Sequence, residues 1–222
     1  GTDWTENAID LYDQCQDSPT NNFATYNPLM RFHSSMSLVQ GNLRATTANN
    51  YMDLGSNSFF STIGMTSGKW YWEINVVTAP NSYSLAGIAF DLSAHQQGST
   101  ASQYNYSYTT LGYSYNSDGS IGNDGGGWTS SGYDSYTALD KISFALDMDN
   151  GKFYVGKNGT WQNSGDPTSG ATGTGAKSIS SASSTNTGVY HFSVGDSGSA
   201  QATIECNFGN PTFTISSGNS DA

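Results

Sequence analysis

Several stretches of this chain carry the residue types that catalysis or metal binding needs. GDSGS (195–199) has the form of a serine-nucleophile segment. With His95 upstream and aspartates between, Ser197 would have a base and an orienting carboxylate. That chemistry also needs the three side chains in contact and an oxyanion hole. The same five residues join two alternating apolar runs, VYHFSV (189–194) and ATIECNF (202–208), and a hairpin turn accounts for them without enzymology. Glycoside hydrolysis needs two facing carboxyl groups. Glu6, Glu73 and Glu205 are the only glutamates, and no E-x-D-x-x-E strand is present. Glu73 and Glu205 alternate away from apolar faces, which predicts exposed strand positions. Asp147, Asp149 and Gly151 begin like a calcium loop, but the twelfth position is Asn158 instead of Glu. His33, His95 and His191 show no ligand spacing. These comparisons predict a chain with no enzymatic activity and no cofactor. The one metal reading left is a surface calcium on loop aspartates, Asp124 or Asp166.

Aromatic residues in polar segments carry the stronger signal. Tyr104, Tyr106 and Tyr108 alternate, so they share a face if that segment is extended. Trp128 follows three glycines, Tyr133 and Tyr136 come soon after, and Trp161 opens an NSGDP loop. Such side chains give large contact area at low entropic cost. Beside Asp and Asn they also suit stacking on sugars. These seven residues are the candidate ligand-binding set. The competing reading, for Trp161 especially, is a ring that caps a sheet edge. The Asn105 and Asn158 sequons are expected by chance in a chain this rich in Asn, Ser and Thr.

The elements that must position these residues are strands. Trp70, Trp72, Ile74 and Val76 point one way in KWYWEINVV. Ile142, Phe144, Leu146 and Met148 share a face, as do Tyr190, Phe192 and Val194, and Ala202, Ile204, Cys206 and Phe208. LAGIAF (85–90) is a short continuous apolar run, as for a strand buried on both faces. Asn-Gly occurs at 150–151 and 158–159, and each pair predicts a type I′ hairpin turn with KFYVGK as the strand between them. SLVQGNLRAT (37–46) reads as a hairpin, and LGYSYNSDGSI (111–121) as another turning at Asp118-Gly119. Ser67-Gly68 turns into KWYWE. Residues 1–35 and 161–188 lack periodicity and read as long loops. Many short strands with frequent turn signals predict an all-β antiparallel sandwich of two sheets.

Composition agrees. The chain has 222 residues, 26 of them Gly, with 11% charged and 13% aromatic residues. A net charge of −11 with seven Lys plus Arg disfavours nucleic acid and anionic membranes, since both need cations. No apolar run is long enough to span a bilayer, and no basic stretch followed by an apolar run opens the chain. Cys15 and Cys206 have no metal spacing; either they pair and tie the ends together, or Cys206 is a free buried thiol.

SGKWYWEI, LAGIAF, LGYSYNSDGSI, ISFALDMDNGKFYVGKNGTW and ATIECNFG, in that order, resemble a SPRY domain, a bent concanavalin A-like β-sandwich used for protein recognition. The resemblance covers residues 37–213. DSPTNNFATYNPL (17–29) and KNGTWQNSGDP (157–167) are similar to SPRY-containing proteins of marine bacteriophages. The resemblance implies three parts: an N-terminal extension (1–36) packing on or leading into the sandwich, the sandwich (37–213), and a polar tail or linker (214–222). It further implies a virion surface or structural module, a fibre or capsid decoration, located on the particle and outside cells. Its partners would be other virion proteins or copies of itself in a homo-oligomer. The alternative is an adhesin that recognises a host-surface glycan; a hydrolase is a distant third. The Tyr-rich stretch 91–110, the Gly/Ser/Thr/Ala loop 164–188 and Cys206 depart from the family pattern.

Overall fold

The computed structural model describes residues 23–30, 35–48, 58–79, 84–89, 112–123, 127–130, 132–185, 187–196 and 200–209. Among them are fourteen strands: β1 (Ser37–Val39), β2 (Arg44–Thr46), β3 (Ser58–Phe60), β4 (Lys69–Thr78), β5 (Ser84–Ala89), β6 (Gly112–Asn116), β7 (Ser120–Asn123), β8 (Gly127–Ser130), β9 (Lys141–Asp147), β10 (Lys152–Lys157), β11 (Thr160–Trp161), β12 (Lys177–Ser178), β13 (His191–Asp196) and β14 (Thr203–Asn207). They build two antiparallel sheets. The first runs β1-β2-β14-β4-β9-β10-β11, with β12 also pairing β10; the second runs β3-β13-β5-β6-β7-β8. Among the described residues no helix is long and apolar enough to cross a membrane.

Two-residue alternation sets which side chains meet between the sheets. Trp72, Ile74 and Val76 of β4, Ile142, Phe144 and Leu146 of β9, and Phe153 and Val155 of β10 face inward and are buried. Tyr113, Tyr115, Tyr190, Phe192 and Val194 come from the other side. Trp72 stacks on Phe144 at 4.9 Å between centroids and meets Phe192 across the sandwich at 3.9 Å. Each such pair adds about 0.5–1.5 kcal/mol beyond area burial. Tyr26, in the segment before β1, is buried in the same core and bridges to Ser61. Cys206 is a free, buried thiol whose Sγ donates to the Leu43 carbonyl at 3.4 Å, so it forms no disulfide. Burial pushes that thiol well up from its ordinary range.

The meander of β9, β10 and β11 follows the sequence reading, but its two Asn-Gly pairs differ. Asn158 (φ 49) and Gly159 (φ 82) form a two-residue connection between the paired Lys157 and Thr160. The other connection is longer: Asp147 pairs with Lys152, four residues lie between, and only Gly151 (φ 62) is left-handed there. Asp147 explains the difference, because its carboxylate accepts from the Asn150 N–H (3.0 Å) and Nδ2 (2.8 Å) and organises the wider loop.

Three further expectations are corrected. GDSGS does not close a hairpin, since β13 and β14 lie in different sheets and the connection crosses between them. Glu73 is not exposed: at 0% accessibility it is buried on the outward side of β4. Residues 161–188 are not a plain loop. They hold the end of β11, all of β12, and 3-10 turns at Gln162–Ser164, Gly170–Thr172 and Ala182–Ser184. Alternation tells which face a residue is on, not what later folds over that face.

Candidate functional site

Of the seven candidate aromatics, Tyr133, Tyr136 and Trp161 have described side chains. Tyr104, Tyr106 and Tyr108 lie outside the described residues. Trp128 is placed on β8, with its backbone opposite Gly122. Tyr136 is 4% exposed, in the core, and its hydroxyl donates to the Tyr115 carbonyl at 3.3 Å, so it supports the fold. Tyr133 is half-buried edge-on to Tyr115, and burial raises its phenol. Trp161 stands elsewhere, on the outer face of the first sheet. The calcium candidate Asp124 is also outside the described residues. Asp166 spends its Oδ1 on the N–H and hydroxyl of Thr168, and those donors hold its carboxyl below the usual range. Among the described residues no group of three or more His, Cys, Asp or Glu could hold a metal.

Around Trp161, strand register builds a groove. Three rows cross the outer face. The first runs Lys69–Asp147–Lys152, the second Tyr71–Ala145–Tyr154, and the third Glu73–Ser143–Gly156–Trp161. Small residues occupy the middle: Ala145 in the second row, Ser143 and Gly156 in the third. Large rings stand on either side. Trp161 lies over Gly156, where a Cβ would come 3.2 Å from its Cε3. Its ring meets Tyr71 edge to face at 6.3 Å and Tyr154 at 6.4 Å. The resulting groove has a volume of about 320 Å³, with Trp70, Pro167 and Thr168 completing its walls.

The wall formed by 162–176 is held by its own hydrogen bonds. Asp166 N–H donates to Thr174 O (3.0 Å), and Asn163 Nδ2 to Gly175 O (3.3 Å). Ser169 Oγ donates to Asp166 O (2.6 Å) and accepts the Thr174 N–H (2.9 Å). Tyr154 reaches the same Ser169 Oγ at 3.3 Å, joining the wall to the sheet.

Three carboxylates, Asp147, Glu73 and Asp196, accept hydrogen bonds from the fold. Asp147 pairs with Lys69 at the end of the groove. Burial alone would raise its carboxyl, but the Lys69 ammonium and the Asn150 donors outweigh that and hold it below the usual range. Glu73 accepts from the Tyr71 hydroxyl and from Ser143 Oγ (3.1 Å). Asp196 accepts from Thr47 Oγ1 at 3.2 Å. Lys69, Tyr71, Asp147, Tyr154, Pro167 and Thr168 were absent from the sequence-based set. The available signal was two tyrosines on the outward phase of β4 and β10, with a strand glycine between Tyr154 and the Asn-Gly turn.

No family model matches the chain, and no curated protein does. Among solved structures it is similar to the SPRY domain of human HERC1, with a TM-score of 0.55 and 16% identity over 82% of this chain and 96% of that one. The fold is SPRY-like. A likeness at this identity establishes architecture alone, so the function of this SPRY-like chain is argued from its own groove.

Proposed function

We propose that the chain is a non-enzymatic recognition module on the outer surface of a virus particle, and that it meets its partner through the groove beside Trp161. The observation that carries this reading is the construction of the groove. A self-bonded wall holds Pro167 and Thr168, beside Trp161, against a sheet face that Ala145 leaves open between Tyr71 and Tyr154. A preformed concave surface with aromatic walls binds without ordering a loop first. Among the described residues the buried carboxylates Glu73, Asp147 and Asp196 each accept structural hydrogen bonds, which favours recognition over acid–base work. Placement on a particle, as a fibre or decoration module, rests on the phage-like segments 17–29 and 157–167. Partners in this reading are particle proteins, further copies of the chain, or the surface of a host cell.

The test pairs wild type with Trp161→Ala. Self-association is measured by sedimentation, and binding of the labelled chain to intact candidate bacteria by fluorescence. An antibody to the folded chain is applied to the virus-particle fraction of its source. The reading expects a saturable contact, weakened at least about tenfold by the variant, and labelled particles. A contact indifferent to Trp161 overturns the groove as the site, and unlabelled particles overturn the location.

A further inference from the structure

We propose that the groove binds a neutral pyranose ring of a glycan, stacked against Trp161 and hydrogen-bonded by the Lys69–Asp147 pair. The proposal rests on reading the groove as the contact site and names what fills it. Size is the first argument. About 320 Å³ lies at the small end of ligand pockets, roughly 300–1,000 Å³. That accepts a sugar ring or one side chain, but not a helix or an added strand.

Chemistry narrows the choice further. The walls are aromatic, and two edge-to-face contacts fix the Trp161 ring in place. The far end carries both signs of charge side by side. An anionic ligand meets Asp147 there and the chain's net charge of −11 beyond it. A cationic ligand meets Lys69. A purely apolar group would desolvate the ion pair and return no hydrogen bond, which is unfavourable. A pyranose avoids all three conflicts. Its C–H face packs on an indole, while adjacent hydroxyls accept from an ammonium and donate to a carboxylate in charge-assisted bonds. Lys69 is suited to this, because its side chain is 60% exposed and has three donors on a rotatable head.

The experiment is a heteronuclear NMR titration of the ¹⁵N-labelled full chain. The probes are the methyl glycosides of glucose, galactose, mannose and N-acetylglucosamine, with N-acetyl-arginine methyl ester as a protein-side-chain mimic. At least one glycoside should shift the Trp161 indole N–H and the Thr168 amide saturably, with a Kd on the order of 1 mM. Trp161→Ala should lose the response at least about tenfold. Lys69→Met gives a second variant, whose fold is checked from its amide spectrum, and it should bind more weakly. A response to the arginine ester alone overturns the pyranose and leaves the groove as a protein contact. No response to any probe, with a cell or self contact still lost in Trp161→Ala, likewise overturns the pyranose and leaves the recognition reading standing. No response together with a contact that survives Trp161→Ala removes both.

Discussion

Gly175→Ala should open the groove wall while leaving the sandwich folded. Gly175 sits at φ +68, and a Cβ there would lie 2.5 Å from the Asn163 carbonyl oxygen, 2.5 Å from Gly165 Cα and 2.7 Å from Gly165 N. All three are backbone atoms of the opposite limb of the loop, so no side chain can swing away to make room. Gly170 is the matched control: its φ is +57, and nothing lies within 4 Å of its Cβ position. Gly170→Ala therefore meets only the left-handed penalty, about 1–2 kcal/mol. Gly175→Ala adds overpacking of about 1–3 kcal/mol, for a total of about 2–5 kcal/mol. The wall lies outside the hydrophobic core, so the loss appears as local opening. Hydrogen exchange at the Asp166 amide, which donates to Thr174 O at 3.0 Å, reads that opening directly. At 1.4 kcal/mol per tenfold, it should accelerate about 30- to 4,000-fold in Gly175→Ala and about 5- to 30-fold in Gly170→Ala. The midpoint of global denaturation should move little in either. Equal acceleration in the two variants, or an unchanged Asp166 amide, would refute the claim that the wall is clamped at Gly175 and preformed.

Ala145→Leu should fill the groove floor between Tyr71 and Tyr154, abolishing ligand response in the titration above while the thermal midpoint stays close to wild type; a variant that binds as wild type would mean that the ligand does not enter over Ala145. Tyr71→Phe removes a donor from the fully buried Glu73, and should lower stability in urea denaturation by about 1–3 kcal/mol; no change would mean that Glu73 is satisfied without it. His191 carries a pH signature. Burial lowers its imidazole, with the Ser61 and Ile63 carbonyls opposing, so the folded chain takes up the proton after the unfolded one. Stability should therefore fall as pH drops through about 6.5, and His191→Gln should flatten the curve in that window. An identical pH profile in the variant would count against the assignment. Tyr115 works at the other end: burial, with Asp134 and Asp140 nearby, raises its phenol, so the unfolded chain ionises first and stability should decline above about pH 10, an effect that Tyr115→Phe removes.

How much of this was legible in the sequence depends on the range of the interaction involved. Local signals held. Gln40, Gly41 and Asn42 all adopt positive φ in the expected β1–β2 connection, and Asn158-Gly159 is the tight turn its dipeptide predicts. Period-two alternation identified the buried faces of β4, β9, β13 and β14, because burial between two sheets leaves that pattern along each strand. What failed was longer in range. GDSGS looked like a hairpin because its flanking strands are adjacent in sequence, yet pairing is decided by where the whole crossover goes. Asn150-Gly151 looked like Asn158-Gly159, but the side chain of Asp147, three residues before Asn150, recruits the turn into a wider loop.

The groove was missed for a related reason. Tyr71, Glu73, Ala145 and Tyr154 each read as an ordinary outward residue of an isolated strand. Only the register brings them into rows, with Ala145 between two tyrosines and Gly156 beneath Trp161. The wall 162–176 read as filler because Gly, Ser and Thr carry no periodicity. Yet these residues let the loop fold back on itself: Gly175 permits an approach that any side chain would block, and Ser169 satisfies both limbs with one hydroxyl. A stretch without apolar pattern can therefore be as specified as a strand, provided its polar groups find one another. The buried Glu73 shows the consequence for electrostatics. A carboxylate placed by alternation on a solvent face becomes an interior acceptor once Trp161 and the wall cover the neighbouring rows, and the Tyr71 and Ser143 hydroxyls are what make that burial tolerable.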